Sequence, residues 1–264
     1  MPDDAQTSKD GQIPTNLRLL MLLEEVTRLG TAVKSTDLIE SMGLPKPTIH
    51  RLLQTAEAEG FLQRDLDGRS YGPGDRLRAL AVSTMSSERV RTARLAILKN
   101  VAEEIGETCN LATPDREGMT YLDRVETKWP LRIQLPRGTQ VPFHCTASGK
   151  MYLSSLRTAT LNGVLSAGPL EKLTDQTITD QGQLRQEIAE TRKRGFSTDN
   201  EEFMAGMAAI AVPILDPQKR LLATLSVHAP VMRCSLEQII RFLEPLKSAA
   251  DKLSNLNESQ SSFS

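Results

Sequence analysis

Apolar side chains recur with helical spacing in three short blocks near the start of the chain. Leu19, Leu22, Leu23 and Val26 stand at i, i+3, i+4 and i+7 within residues 15–29, and Gly30 ends that block. Ser35 is a favourable N-cap for a second helix, with Asp37 in its first turn, Leu38 and Met42 on one face and Gly43 after its end. The third block opens at Leu44-Pro45-Lys46-Pro47, whose prolines fit only a first turn, where the missing N–H groups have no helical partner. Ile49, Leu52, Leu53 and Ala56 then repeat the stripe, and Gly60 closes it. The pattern changes at Phe61-Leu62-Gln63-Arg64, which with Arg69-Ser70-Tyr71 flanks Asp65-Leu66-Asp67-Gly68, the signature of a hairpin.

Helical spacing returns over 74–104, with Leu77, Leu80 and Ala81 in one stripe and Val90, Ala93, Ile97, Val101 and Ile105 in another. Ser86-Ser87 between them predicts a break or bend. Further on, strand-like runs fall near 108–113, 118–125, 131–135, 207–215 and 221–229, and helical runs near 147–156, 158–166, 181–194 and 235–253. Strands at both ends with helices between them predict an α+β domain with a mostly antiparallel sheet. The expected organisation is a winged helix-turn-helix over 14–73, a linker helix over 74–88 and a second domain over 89–255.

Composition narrows the function classes. The chain has 264 residues, 39% hydrophobic and 25% charged, which suits two soluble domains. Its start, MPDDAQTSKDGQ, does not resemble a signal peptide, and no run of ~18 apolar residues occurs, so no membrane span and a cytoplasmic location are expected. Cys109, Cys145 and Cys234 match no zinc spacing and are expected to be reduced thiols. No cofactor is expected.

Net charge is −1, and residues 14–73 carry seven Lys/Arg against eight Asp/Glu. Binding to nucleic acid would therefore rest on local placement of cations. The face of the third helix opposite its apolar stripe shows Lys46, Thr48, His50, Arg51 and Gln54, the residue types that read base edges and phosphates in a major groove. Arg64 and Arg69 of the hairpin are placed to touch backbone or minor groove. Glu24, Glu25 and Glu59 are expected to lie away from DNA. The alternative is a winged helix that binds only proteins.

The stretch Gly43-Leu44-Pro45-Lys46-Pro47-Thr48-Ile49-His50-Arg51-Leu52-Leu53 resembles the recognition-helix segment of IclR-type bacterial regulators. Gly60-Phe61-Leu62-Gln63-Arg64-Asp65 and Tyr71-Gly72-Pro73-Gly74 resemble their wing. Two later stretches resemble their effector domain: His144-Cys145-Thr146-Ala147-Ser148-Gly149-Lys150, and Arg194-Gly195-Phe196-Ser197-Thr198-Asp199-Asn200-Glu201-Glu202 with Gly206 and Ala209-Ile210-Ala211-Val212-Pro213. The resemblance implies a GAF-like effector domain that holds a small organic acid between a helix and the sheet. It carries the binding role to Ala147, Ser148, Asp199, Ala209, Ser226 and His228. Three positions depart from the family pattern: Pro47 where Ser is common, Ala209 where Cys is common and His228 where Ser is common. The first removes a hydroxyl from the DNA face, and the other two imply a ligand different from glyoxylate-like acids.

The residues by themselves point the same way. Thr146 is a good N-cap for a helix through Leu156, and small residues in its first turn leave N–H groups open to a carboxylate. Ser226 and His228, two apart on a strand, share a face. Structural roles compete with each assignment: Asp199 is equally suited to capping a turn, and Glu201 and Glu202 to salt bridges. Trp129 suits a core or an interface better than a pocket mouth, and Arg192-Lys193-Arg194 suits a solvated helix end.

Gly149-Lys150 is followed by Met151, so it is not a phosphate loop, and Ser148 lies outside any nucleophile elbow. An enzyme with a GAF-like pocket is therefore the weaker reading. The expected partners are double-stranded operator DNA, a carboxylic acid or acyl compound, and further copies of the chain, as a dimer that the resemblance extends to tetramers. The expected activity is ligand-responsive repression of a catabolic operon.

Overall fold

A computed structural model describes residues 13–29, 32–65, 67–85, 88–115, 118–130 and 135–261. They fall into two units that divide between residues 87 and 88. The first unit holds α1 (Arg18–Leu29), β1 (Val33–Lys34), α2 (Ser35–Met42), α3 (Lys46–Ala58), β2 (Leu62–Arg64), β3 (Ser70–Pro73) and α4 (Asp75–Met85). The three apolar stripes meet in one core, in which Leu22, Leu38, Ile49 and Leu53 are fully buried. Each such side chain contributes about 1.5–3 kcal/mol relative to an exposed one. Leu19, Met42 and Leu52 pack at its rim. Gly43 makes the tight turn between α2 and α3 with φ of 62°, a conformation that glycine adopts without a Cβ penalty.

Ser35 is not the cap of α2. Lys34 holds the N-cap position, and its backbone N–H donates to Asp37 Oδ2 at 3.2 Å. The reason is β1, which the apolar pattern does not show: Val33 and Lys34 pair with Tyr71 and Ser70, so the chain stays extended through Lys34. The wing turns through Asp67-Gly68, with Leu66 outside the described residues. Asp67 Oδ1 accepts the N–H groups of Arg69 and Ser70, both at 2.8 Å, and Oδ2 accepts the Ser70 hydroxyl at 2.6 Å. These bonds, the hydroxyl's first, hold the Asp67 carboxyl down at about 2. In α4, Leu77 packs on the first core but Leu80 is 58% exposed, so the expected stripe is not one buried face. Ser86-Ser87 lie outside the described residues.

The second unit holds α5 (Glu88–Ile105), β4 (Thr108–Pro114), β5 (Gly118–Val125), β6 (Gln140–Pro142), α6 (Ala147–Ser155), α7 (Thr158–Ser166), α8 (Gln181–Arg194), β7 (Ser197–Asn200), β8 (Met207–Leu215), β9 (Leu221–Pro230), α9 (Leu236–Ile239) and α10 (Leu243–Ser261). The sheet is antiparallel in the order β6-β5-β4-β9-β8-β7. Helices α5 and α10 pack on it, as does α6, which in turn packs against α8. The edge strands β6 and β7 escape the sequence pattern because they are three and four residues long and, in β7, polar. The strand expected over 131–135 falls, except for Leu135, outside the described residues. The single helix expected over 235–253 is interrupted by a 3-10 turn at Ile240–Phe242, and Pro245 in the first turn of α10 explains the restart.

The expected stripe of α5 holds at Val101 and Ile105, with Ile97 half-buried, but not at Ala93. Leu98, Val101, Ala102 and Ile105 are buried together with Arg94, whereas Ala93 is exposed. A count of apolar residues misses this face because its anchor is charged. Arg94 Nε donates to Asp123 Oδ2 at 2.6 Å, and Asp123 on β5 is fully buried.

Candidate DNA interface and effector site

The predicted DNA residues lie on α3 and on the wing of the first unit. Lys46, Arg51 and Gln54 of α3 are exposed, Thr48 and His50 are half-buried, and Arg69 is exposed on the wing. His50, Arg64 and Arg69 line a cleft of about 360 Å³ together with Lys34, Ser35 and Thr36. The last three were missed from sequence. Their signal was the start of α2, where N–H groups and a lysine together suit a phosphate. Arg64 is already engaged: Nε donates to Glu57 Oε1 at 2.9 Å, Nη1 to the Gly68 carbonyl at 3.0 Å, and the guanidinium lies 5.0 Å from the Tyr71 ring centre. It braces the wing, so its charge is partly offset by Glu57. Of the acidic residues expected to avoid DNA, Glu25 pairs with Arg28 at 2.7 Å and Glu59 with Arg76 at 2.8 Å.

In the second unit, cross-strand register decides which residues share a face. Ala209 pairs with both Asp199 and His228, and Ser226 pairs with Ala211 and Asn110. Paired residues point to the same side of a sheet. Ala209 and Ala211 cluster with Ala147 and Met151 of α6, so this is the side that α6 covers. Asp199, Ala209, Ser226 and His228 therefore share the side on which Ala147 packs, Ser148 follows Ala147 in the first turn of α6, and all six are buried. Thr146 caps α6, its Oγ1 accepting the Gly149 N–H at 3.0 Å and donating to the Pro142 carbonyl at 2.7 Å. Ser148 Oγ is buried without a hydrogen-bond partner.

Asp199 performs the turn-capping role as well: Oδ1 accepts the N–H groups of Glu202 at 2.8 Å and Phe203 at 3.3 Å. Burial, with the nearby Glu202 charge, pushes its carboxyl up to about 7. Glu202 is buried and paired with Lys150 at 2.5 Å, a contact that sequence reading left as an unspecified salt bridge.

His228 is only 4% exposed, and its Nε2 lies 3.1 Å from Ser226 Oγ. The strands on either side of β9 and the covering helix α6 exclude water from it. Burial first, then the Arg124 charge, pushes it down from 6.5 to about 3. The unfolded chain therefore takes up a proton below pH 6.5 that the native state refuses. The stability this neutral histidine carries is present above pH 6.5 and is lost as pH falls toward 3. His228→Asn is expected to flatten the loss of Tm between neutral pH and about pH 4 relative to wild type. Parallel Tm profiles for the two proteins would refute the assignment.

Other residues singled out from sequence have structural places. Trp129 is 53% exposed, with the Arg233 guanidinium 5.4 Å from its ring centre. Arg192 caps α6 by donating to the carbonyls of Ser154 and Leu156, both at 2.8 Å, and Arg194 pairs with Glu187 at 2.7 Å, so this segment is more than a solvated helix end. His144 Nε2 lies 2.9 Å from the Glu171 carbonyl. The three cysteines are buried free thiols, and no cluster of metal-ligating side chains occurs among the described residues. No described helix is long and apolar enough to cross a membrane.

Both units of the chain match known protein families. Residues 17–66 match the IclR helix-turn-helix domain, and residues 82–255 match the C-terminal domain of bacterial transcriptional regulators of the IclR type. The chain is 37% identical to the probable transcriptional regulator SauR of Cupriavidus necator, over 90% of this chain and 94% of that one. It is 30% identical to the transcriptional repressor IclR of Escherichia coli, over 91% of this chain and 89% of that one. Among solved structures, the IclR protein of Thermotoga maritima is similar with a TM-score of 0.61 and 26% identity, covering 91% of this chain and 97% of that one. An IclR homologue from Microbacterium hydrocarbonoxydans, solved in complex with 4-hydroxybenzoate, is similar with a TM-score of 0.59 and 25% identity, over 92% and 99% of the two chains. Its relatives are regulators and not enzymes; the chain belongs to the IclR family of bacterial transcriptional regulators and carries that family's DNA-binding helix-turn-helix.

Proposed function

We propose that this regulator is a cytoplasmic homodimer, able to pair into tetramers, that represses a catabolic operon until a small organic acid or acyl metabolite binds. In this reading residues 14–73 bind operator DNA, 74–88 form a linker helix and 89–255 bind the effector. Lys46, Thr48, His50, Arg51 and Gln54 read the major groove, and Arg69, with the more constrained Arg64, touches the backbone. A unit this small covers a short half-site, so two copies on a symmetric operator are expected. The effector shifts DNA affinity only by binding the two conformations unequally.

The observation that carries the effector half is the α6 N-terminus, whose buried Ser148 hydroxyl has no hydrogen-bond partner, on a helix that covers the side of the sheet holding Asp199, Ser226 and His228. The 4-hydroxybenzoate bound by a relative, itself a carboxylic acid, supports the ligand class.

Gel shift with the DNA upstream of its own gene tests the DNA half. Thr48→Ala and Arg51→Ala are each expected to weaken operator binding by ~1–3 kcal/mol while leaving Tm unchanged. Binding should also weaken clearly as salt rises, since the exposed cations displace counterions from phosphates. Wild-type affinity in both variants, or a flat salt response, rejects this interface. For the effector half, Ser148→Leu is expected to leave operator binding intact and abolish release by metabolites that act on the wild type. Release at wild-type concentrations would place the effector elsewhere.

A further inference from the structure

The face of the sheet opposite α6 carries a different cluster. Asp123 pairs across the strands with Leu111, Leu111 with Leu225 and Leu225 with Val212, one residue out of step with the Ala211–Ser226 pair beneath α6. Asp123 therefore points away from the effector side, toward α5. Three guanidiniums converge on this one buried carboxylate. Arg94, itself buried, takes Oδ2, with Nε at 2.6 Å. Arg91, three residues earlier on the same face of α5, donates from Nε to Oδ1 at 3.3 Å. Arg137 Nε stands 3.6 Å from that same Oδ1. The backbone of the turn before β6 sets Arg137 in place. Its Nε donates to the Leu122 carbonyl at 2.7 Å, and the N–H of Gly138 donates to the Tyr121 carbonyl at 2.9 Å. The side chains of Arg91 and Arg137 are 38% and 46% exposed, so an ion in solution reaches them but not Arg94 or Asp123.

We propose that Arg91 and Arg137 form a binding site for a divalent tetrahedral oxyanion, a phosphate group, on the α5 side of the sheet and separate from the effector site. One carboxylate offsets one of the three cations, and the buried Arg94 is the one it binds most closely. Two positive charges remain side by side, both held by Nε to a single oxygen. Among the described residues, neither Arg91 nor Arg137 pairs with another carboxylate, and the Nη groups of neither make a hydrogen bond. Like charges held this close repel, and a counter-charge between them relieves the repulsion. A divalent anion balances both. Guanidinium forks recognise carboxylates and phosphates through paired N–H groups. A carboxylate offers two oxygens in one plane, which a single fork occupies. A phosphate offers oxygens in several directions, so it can bridge one fork from α5 and another from the turn before β6. Because water reaches both forks, salt screens the attraction and affinity in the millimolar range is expected.

The test uses the full-length protein with inorganic phosphate and glycerol phosphate, each compared with succinate, acetate and chloride at equal ionic strength. Binding is read by calorimetry and by Tm. At least one of the two phosphates is expected to bind in the millimolar range and to raise Tm beyond the other salts. Which of the two binds more tightly tells a free phosphate ion from a phosphate ester. Succinate carries the same charge without the tetrahedral head and is expected to bind more weakly. Arg91→Gln and Arg137→Gln are each expected to weaken the phosphate about tenfold, and the double variant to abolish binding. Arg91→Lys is expected to lose less than Arg91→Gln, since it keeps the charge but not the fork. A phosphate that the double variant binds at wild-type strength lies elsewhere on the chain and overturns the proposal. Succinate binding as well as phosphate, or phosphate behaving as chloride does, overturns it too. Each variant keeps the buried Arg94–Asp123 pair, and the comparison of salts uses unaltered protein, so the proposal can fail even if a variant does not fold.

Discussion

Arg94→Met is expected to destabilise the second unit by about 3–5 kcal/mol, a large share of the total stability of a typical domain. Asp123 is fully buried on β5, and the Arg94 side chain that neutralises it is only 6% exposed. Arg91 at 3.3 Å and Arg137 at 3.6 Å also approach the carboxylate, but their side chains are 38% and 46% exposed, so solvent screens them. Removing Arg94 leaves a buried charge with weak compensation. The pair itself need not stabilise the fold relative to an apolar one. Arg94→Met combined with Asp123→Leu is therefore expected to be more stable than Arg94→Met alone. Denaturant unfolding of wild type, Arg94→Met, Asp123→Leu and the double variant measures this cycle. A cost under about 1 kcal/mol for Arg94→Met would mean that the pair behaves like a surface ion pair.

Gly149→Ala is the second large effect, and its sign separates local propensity from packing. In an open helix the change would stabilise by about 1 kcal/mol. Here a Cβ would stand 2.3 Å from the Phe143 carbonyl oxygen and 2.4 Å from the Phe143 Cα. Those are backbone atoms and cannot swing aside as a side-chain tip does. Phe143 is held nearby by its place in the core and by the Thr146 hydrogen bond to Pro142. The substitution should therefore destabilise by roughly 1–3 kcal/mol, as overpacking does, and displace the first turn of α6. Effector response should be lost while operator binding by the helix-turn-helix unit persists. A higher Tm with a normal ligand response would show that α6 does not approach the Phe143 backbone this closely.

Much of the architecture is legible in the sequence, and the reason is its locality. The stripes of α1, α2 and α3 follow from a 3.6-residue period, the turn at Gly43 from a residue that needs positive φ, and the wing from Asp67-Gly68. The boundaries of α7, α8, β5 and β8 coincide with the expected runs because each is a long element bounded by turn residues. The six residues assigned to an effector site came from resemblance alone, and the register of β7, β8 and β9 brings the four that lie on strands, Asp199, Ala209, Ser226 and His228, to one face. Short edge strands left no such trace. β1, β6 and β7 are strands only because a neighbouring strand offers them hydrogen bonds.

Charge pairing and face assignment are likewise tertiary. Tyr121 and Asp123 are two apart, which by strand alternation puts them on one face. A register shift opposite Leu111/Ala112 separates them: Tyr121 turns to the α6 side with Arg124, and Asp123 turns to Arg94 on α5. From sequence, then, come the two units and the helices of the helix-turn-helix, set by local periodicity and turn chemistry, and the start of α6, set by its Thr146 cap. The burial of Arg94 against Asp123, the depth of His228 and the contact of Arg124 with Asn110 across two strands depend on partners distant in the chain. No local pattern encodes them, because each follows from which face a strand presents and what is buried against it.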